Sequence, residues 1–125
     1  MAYVLLVEDK TRDETIEDRN VQQLFGCGPR LPERCATIVK HSAQDALKLV
    51  QTEPLDLVIL DIRMPGMDGL EALPRILGLK EGLKVILNTA YSQYQESFMS
   101  WAADAYIIKS ADLTELKAKV KELLA

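Results

Sequence analysis

Five short apolar runs punctuate the chain: YVLLV at 3–7, ATIV at 36–39, LDLVIL at 55–60, KVILNT at 84–89 and AYIIK at 105–109. Each is too short for a helix and too continuously apolar for a sheet with one wet face. Strands buried on both faces read this way. Helical patterns lie between them. In SAQDALKLVQTE, Ser42 can cap and Asp45 stands three residues on, the spacing of a capping box, and Ala43, Ala46, Leu47 and Val50 form one apolar stripe. In DGLEALPRILG a helix follows Asp68, and Pro74 falls inside it, removing one backbone hydrogen bond and predicting a kink. In DLTELKAKVKELL, Asp112 caps, Glu115 answers, and Leu113, Leu116, Val120, Leu123 and Leu124 line one side. The lysines in its latter half suit the negative end of the helix dipole.

Two further helices are expected. The segment SQYQESFMSWAA, residues 92–103, is read as a helix with Phe98, Trp101 and Ala102 inward; Trp101, Met64, Met67 and Met99 are read as packing residues. Near the start, TRDETIEDRNVQQLF opens on a capping box of Thr11 and Glu14, but its stripe of Ile16, Val21, Leu24 and Phe25 is thin. Gly26 should stop it, and a loop of residues 26–34 then leads to the second strand. Strand and helix thus alternate five times. A parallel sheet with helices on both faces, joined by right-handed crossovers, is the architecture that buries such a pattern.

The chain has 125 residues, room for one domain over 1–125 with one core. A net charge of −4 argues against direct nucleic-acid binding, which calls for a basic excess. No apolar run approaches a membrane span, and MAYVLLVEDK lacks the features of a signal peptide, so the expected location is the cytoplasm. Cys27 and Cys35 are read as free, reduced thiols. With His41 as the sole histidine, the sequence has no zinc-ligand spacing.

Candidate chemistry sits where the apolar runs end. In such sheets ligands bind beyond the carboxyl ends of the strands, where the strand order reverses. Glu8 and Asp9 follow the first run, Asp61 the third, Thr89 and the small Ala90 the fourth, and Lys109 the fifth. Three carboxylates, a hydroxyl and an ammonium would converge on one rim. Crowded carboxylates repel, and a divalent ion relieves them. All-oxygen ligands suit magnesium, which keeps several waters. Metal and lysine opposite a carboxylate make a phosphoryl-transfer site, with Asp61, at the end of the central strand, as the nucleophile. Taken singly, each residue has a plainer role: Glu8 or Asp9 as a helix cap, Thr89 as a strand residue, Tyr106 as core, Lys109 and Arg63 as surface. Their joint placement at strand ends is what points to chemistry.

LLVED, LVILDIRMPGMDG, VILNTA and AYIIKS, in this order, resemble the receiver domain of bacterial two-component response regulators, of the chemotaxis-regulator kind. The resemblance spans essentially the whole chain and is weakest over residues 10–36. It implies a flavodoxin-like (βα)5 fold, a five-stranded parallel sheet in the order 2-1-3-4-5. It implies a phosphorylated signalling switch that catalyses only its own phosphorylation and dephosphorylation. Asp61 would take a phosphoryl group from a phosphohistidine of a sensor histidine kinase or a histidine phosphotransfer protein. Asp9, Asp61 and the backbone carbonyl of Arg63 would ligate Mg2+, with Glu8 acting through a metal-bound water. Lys109, Thr89 and Ala90 would meet the phosphoryl oxygens, and Thr89 and Tyr106 would move together as the switch. The face made by the fourth helix, fifth strand and fifth helix would dock a downstream target, an output domain or a second copy of the chain. In such receivers Arg63, two after the acceptor, and Tyr91, two after Thr89, stand where phosphoryl lifetime is tuned.

Three features depart from that pattern. Ser110 replaces the usual proline after the lysine, so a trans bond, or a strained cis one, is expected there. Ala102 stands where a glycine often ends the fourth helix, and the first loop is long. Two rival chemistries share parts of the layout. A haloacid-dehalogenase-like phosphatase needs a second aspartate two residues after the nucleophile, where this chain has Arg63. A flavodoxin-like flavin binder needs Ser, Thr and Gly donors after the first strand, where VEDKTRD would repel a phosphate.

Overall fold

The computed structural model describes residues 2–8, 35–64, 66–96, 101–109 and 114–124. In chain order these form β1 Ala2–Val7, β2 Cys35–Lys40, α1 Ala43–Thr52, β3 Leu57–Leu60, α2 Gly69–Leu79, β4 Lys84–Thr89, β5 Ala105–Ile108 and α3 Thr114–Leu124. The sheet order is β2-β1-β3-β4-β5, and every neighbouring pair is parallel. All five strands fall within two residues of the apolar runs that announced them. The chain passes from β1 outward to β2 and returns to β3 on the opposite side of β1, so the strand order reverses between β1 and β3.

Alternate residues of each strand feed two cores. Leu5 and Val7 of β1, Val58 and Leu60 of β3 and Val85 and Leu87 of β4 pack with Ala43, Ala46 and Val50 of α1 and Ala72, Leu73 and Ile76 of α2. Val4, Leu6, Leu57, Ile59, Ile86 and Ile107 turn the other way, onto Leu116 and Val120 of α3. Side chains of consecutive strand residues point to opposite faces, so a strand covered on both sides must be apolar at every position. That is why β3 reads LVIL without a polar break, all four residues buried. Each such aliphatic side chain contributes about 1.5–3 kcal/mol on burial.

The helices start where their caps place them. Asp45 N–H donates to Ser42 Oγ (3.2 Å) at the head of α1, and Glu71 N–H donates to Asp68 Oδ1 (2.8 Å) at the head of α2. Each bond satisfies a first-turn amide that has no partner within the helix. α2 continues through Pro74 to Leu79. Gly66, with φ +76°, supplies the left-handed turn between Asp61 and α2 that a side chain would resist.

The reading of residues 92–103 as an α-helix is corrected in its described parts. Residues 93–96 are turns, with Gln95 N–H donating to Ser92 C=O (3.0 Å), and residues 101–102 lie in a 3-10 turn. Trp101 is 71% exposed and Ala102 is exposed, whereas Tyr94 and Ala103 pack against the core. The cause lies at the next residue. Asp104 N–H donates to Val85 C=O and Asp104 Oδ2 accepts from Val85 N–H, both 2.8 Å, which pins the chain to β4 and turns Ala103 inward in place of its neighbours. Of the methionines, Met64 is buried and Met67 partly so, as packing residues. The first helix, the loop at 26–34, Cys27, Phe98, Met99, Ser110 with its preceding peptide bond, Asp112 and Leu113 lie outside the described residues.

Candidate functional site at the carboxyl edge of the sheet

Glu8 and Asp61 follow β1 and β3, the two strands that flank the reversal. Both are held by ladder bonds continued one residue past the strands: Glu8 N–H donates to Lys40 C=O (3.1 Å) and Asp61 N–H to Val7 C=O (3.0 Å). Lys109, just past β5, is held in the same way by its N–H on Thr89 C=O (2.8 Å). The backbone therefore delivers all three side chains to one edge, and they meet there. Lys109 Nζ lies 3.0 Å from Asp61 Oδ2 and 3.4 Å from Glu8 Oε1. Glu8, Asp61 and Thr89 are all buried, Thr89 completely.

Among the described residues, acidic side chains outnumber the ammonium that faces them. Two buried carboxylates face one ammonium, and Glu8 Oε2 is buried with no hydrogen-bond partner among the described residues. Buried anionic oxygens are stable only when paired or coordinated. The described residues thus fit a divalent cation with oxygen ligands, the kind magnesium takes. Asp9, the third carboxylate of the sequence reading, lies outside the described residues. Among those residues no cluster of three acidic, histidine or cysteine side chains forms a metal site by itself.

Gly69 explains how tightly the acceptor loop is drawn in. Its N–H donates to Ile62 C=O (2.8 Å), and a Cβ built on it would stand 2.1 Å from the Asp61 carbonyl oxygen. The start of α2 therefore presses directly on the backbone of Asp61, a closeness open only to glycine. The motif MPGMDG follows from this geometry: Gly66 turns the chain, Asp68 caps the helix, and Gly69 lets it close on the site.

Around the rim stand the remaining residues. Ala90 is exposed beside Thr89. Tyr106 is half-buried against the core, and its hydroxyl donates to the Tyr91 carbonyl. Burial holds its phenol above the ordinary tyrosine value. Arg63 is exposed but engaged: its Nη1 donates to Tyr94 Oη (3.3 Å), and its guanidinium lies 5.0 Å from the Tyr91 ring centre. The hydrogen bond that Arg63 donates to Tyr94 is the main influence raising Arg63 above its usual value. Sequence reasoning missed Tyr94, which carries no motif, and missed the closeness at Gly69. The only available signal for Tyr94 was its spacing of three from Tyr91.

A family model for the response regulator receiver domain matches residues 4–121. The chain belongs to this family. It is 40% identical over 82 residues to sporulation initiation phosphotransferase F of Bacillus subtilis, covering 63% of this chain and 65% of that protein. It is 36% identical over 88 residues to the transcriptional regulatory protein ZraR of Escherichia coli, covering 68% of this chain and 20% of that protein. The chain thus matches under two thirds of the length of either curated relative. Among solved structures, the response regulator TrrA of Thermotoga maritima in complex with Mg(2+)-BeF superposes with a TM-score of 0.83 at 38% identity, covering 98% of this chain and 99% of that one. TrrA has also been solved in complex with the histidine kinase ThkA, and that copy matches with a TM-score of 0.82 over 100% of both chains. The fold is therefore that of the receiver domain of a two-component response regulator.

Proposed function

We propose that residues 1–125 form one receiver domain in which Asp61 accepts a phosphoryl group from a phosphohistidine of a partner histidine kinase or histidine phosphotransfer protein. The observation that carries this reading is Lys109 Nζ, which bridges Asp61 and Glu8 at the strand reversal. A carboxylate oxygen of Asp61 attacks phosphorus, the phosphorus–nitrogen bond breaks, and the released imidazole takes up a proton from water. Asp61 becomes an acyl phosphate. Lys109 then stands beside the new phosphoryl oxygens and offsets their charge. Thr89 lies at the end of β4, where its hydroxyl accepts from Tyr91 N–H (3.4 Å). A hydroxyl that accepts can also donate, so it is equipped to bond a phosphoryl oxygen.

Asp9, Asp61 and the carbonyl of Arg63 would hold Mg2+, with Glu8 reaching it through water. Bound there, the ion would neutralise charge on the transferring group. The solution of TrrA with Mg(2+)-BeF, and with a kinase, supports both partners for this chain. The domain acts as a switch in the cytoplasm and not as an enzyme on an outside substrate. It signals to a downstream target, an output domain or a second copy through the face of residues 92–103, β5 and α3. No described helix is long and apolar enough to cross a membrane. In the test, acetyl phosphate is supplied with and without Mg2+ and intact mass is measured. One alkali-labile phosphoryl adduct, dependent on the metal, is expected on the wild type and none on Asp61→Asn. Equal labelling of the variant would overturn the assignment.

A further inference from the structure

Tyr91 is tied to three separate parts of the rim. Its N–H donates to Thr89 Oγ1 (3.4 Å), its carbonyl accepts from the Tyr106 hydroxyl, and its ring lies 5.0 Å from the Arg63 guanidinium. Arg63 also donates to Tyr94 Oη (3.3 Å), and the Tyr91 and Tyr94 rings meet edge to face, 6.4 Å apart at 84°. The loop after β3 is thereby clasped to the loop after β4 by one cation and two aromatic rings. Whatever fixes Tyr91 fixes two things at once: the direction of the Thr89 hydroxyl and the inward seat of Tyr106.

We infer that Arg63 and Tyr94 are positioning residues, a latch that holds Tyr91 so that the Thr89 hydroxyl and Tyr106 are set for a phosphoryl group before one arrives. This rests on the phosphoacceptor reading of Asp61. The latch acts at equilibrium, on the free protein. A site already in its binding arrangement binds more tightly, because less of the binding energy is spent on ordering it. Arg63 and Tyr94 act through the Tyr91 ring that both meet. The cation suits the place. A guanidinium over a tyrosine face is attracted to the ring, and its planar fork leaves a second edge to donate to Tyr94.

The test uses the full chain carrying 3-fluorotyrosine, read by fluorine NMR, with the Tyr106 resonance assigned from Tyr106→Phe. Beryllofluoride with Mg2+ serves as the phosphoryl mimic, in equilibrium titrations free of hydrolysis. In Arg63→Ala, beryllofluoride affinity should fall about tenfold, the combined worth of one cation–ring contact and one hydrogen bond. The Tyr106 resonance of the free variant should move toward its solvent-exposed position and return when the mimic binds. Tyr94→Phe keeps the cation and loses the hydrogen bond, so it should fall part of the way. Arg63→Lys restores a cation over Tyr91 and should recover most of the affinity. An unmoved Tyr106 resonance in free Arg63→Ala would overturn the latch. That holds even if affinity dropped, since Arg63 would then act by charge alone. Failure of the wild type to bind the mimic would instead overturn the phosphoacceptor reading, and the spectra of the free proteins would still decide whether the latch exists.

Discussion

Replacing Lys109 by Met keeps the bulk of the side-chain stem and removes the only cation seen between Glu8 and Asp61 among the described residues. Its nitrogen lies 3.0 Å from one carboxylate oxygen and 3.4 Å from the other, with the Lys109 side chain 19% exposed and those of Glu8 and Asp61 8% and 0%. At an effective dielectric of ~20, each attraction amounts to about 5 kcal/mol before the desolvation of the ammonium is subtracted. That subtraction is large, and removing one partner of a buried pair generally costs about 3–5 kcal/mol. The expected loss for Lys109→Met is therefore about 3–5 kcal/mol, a sizeable part of the stability of a domain this size. Urea denaturation at neutral pH and low salt, in EDTA, should show the midpoint falling by roughly 1–3 M. Added Mg2+ should raise the midpoint of the variant more than that of the wild type. The variant offers the ion two carboxylates with no competing ammonium, and ligand that binds only the folded state stabilises it. If the variant and the wild type unfold at the same urea concentration in EDTA, the carboxylates do not depend on Lys109, and the charge reasoning behind the site fails.

Gly69→Ala should slow phosphorylation by acetyl phosphate about a hundredfold while leaving the fold intact by circular dichroism. A methyl group 2.1 Å from the Asp61 carbonyl oxygen forces the acceptor loop to shift by about 1 Å, and misplacement on that scale is enough; an unchanged rate would show that the loop yields freely. Thr89→Ala should still bind beryllofluoride, yet alter hydrogen exchange over residues 94–108 far less than the wild type does. An equal response in both proteins would place the coupling elsewhere. Asp9→Asn should weaken Mg2+ binding at least severalfold by calorimetry, and an unchanged affinity would remove Asp9 from the ligand set.

The strands were legible because burial on both faces leaves no freedom in composition: Leu57 to Leu60 have to be apolar at every position, and they are. The helices capped by Ser42 and Asp68 were legible for a local reason, since the capping side chain lies three residues from the amide it satisfies. The described parts of the segment at 92–103 were misread because a 3.6-residue period was imposed on turns. What orients Trp101 and Ala103 is a long-range event, the pinning of Asp104 to Val85 across the sheet. At the site, strand-end position was enough to bring Glu8, Asp61, Thr89 and Lys109 to one edge. The clasp of Arg63 by Tyr91 and Tyr94 joins two loops more than 25 residues apart in sequence, and no local pattern encodes it. Gly69 is intermediate: the motif containing it was read as a turn, but only the packed backbone shows that its missing side chain is what lets α2 close on Asp61.

The central claim is that Asp61, and no other carboxylate of the rim, carries the phosphoryl group. Borohydride reduces an acyl phosphate to an alcohol, so the modified aspartate becomes homoserine and keeps its place in the sequence. The wild type, phosphorylated with acetyl phosphate and Mg2+, is reduced, digested and sequenced by tandem mass spectrometry. The account predicts homoserine at position 61 and unmodified carboxylates at Glu8 and Asp9. Reduction at either of those residues, with Asp61 intact, would contradict it.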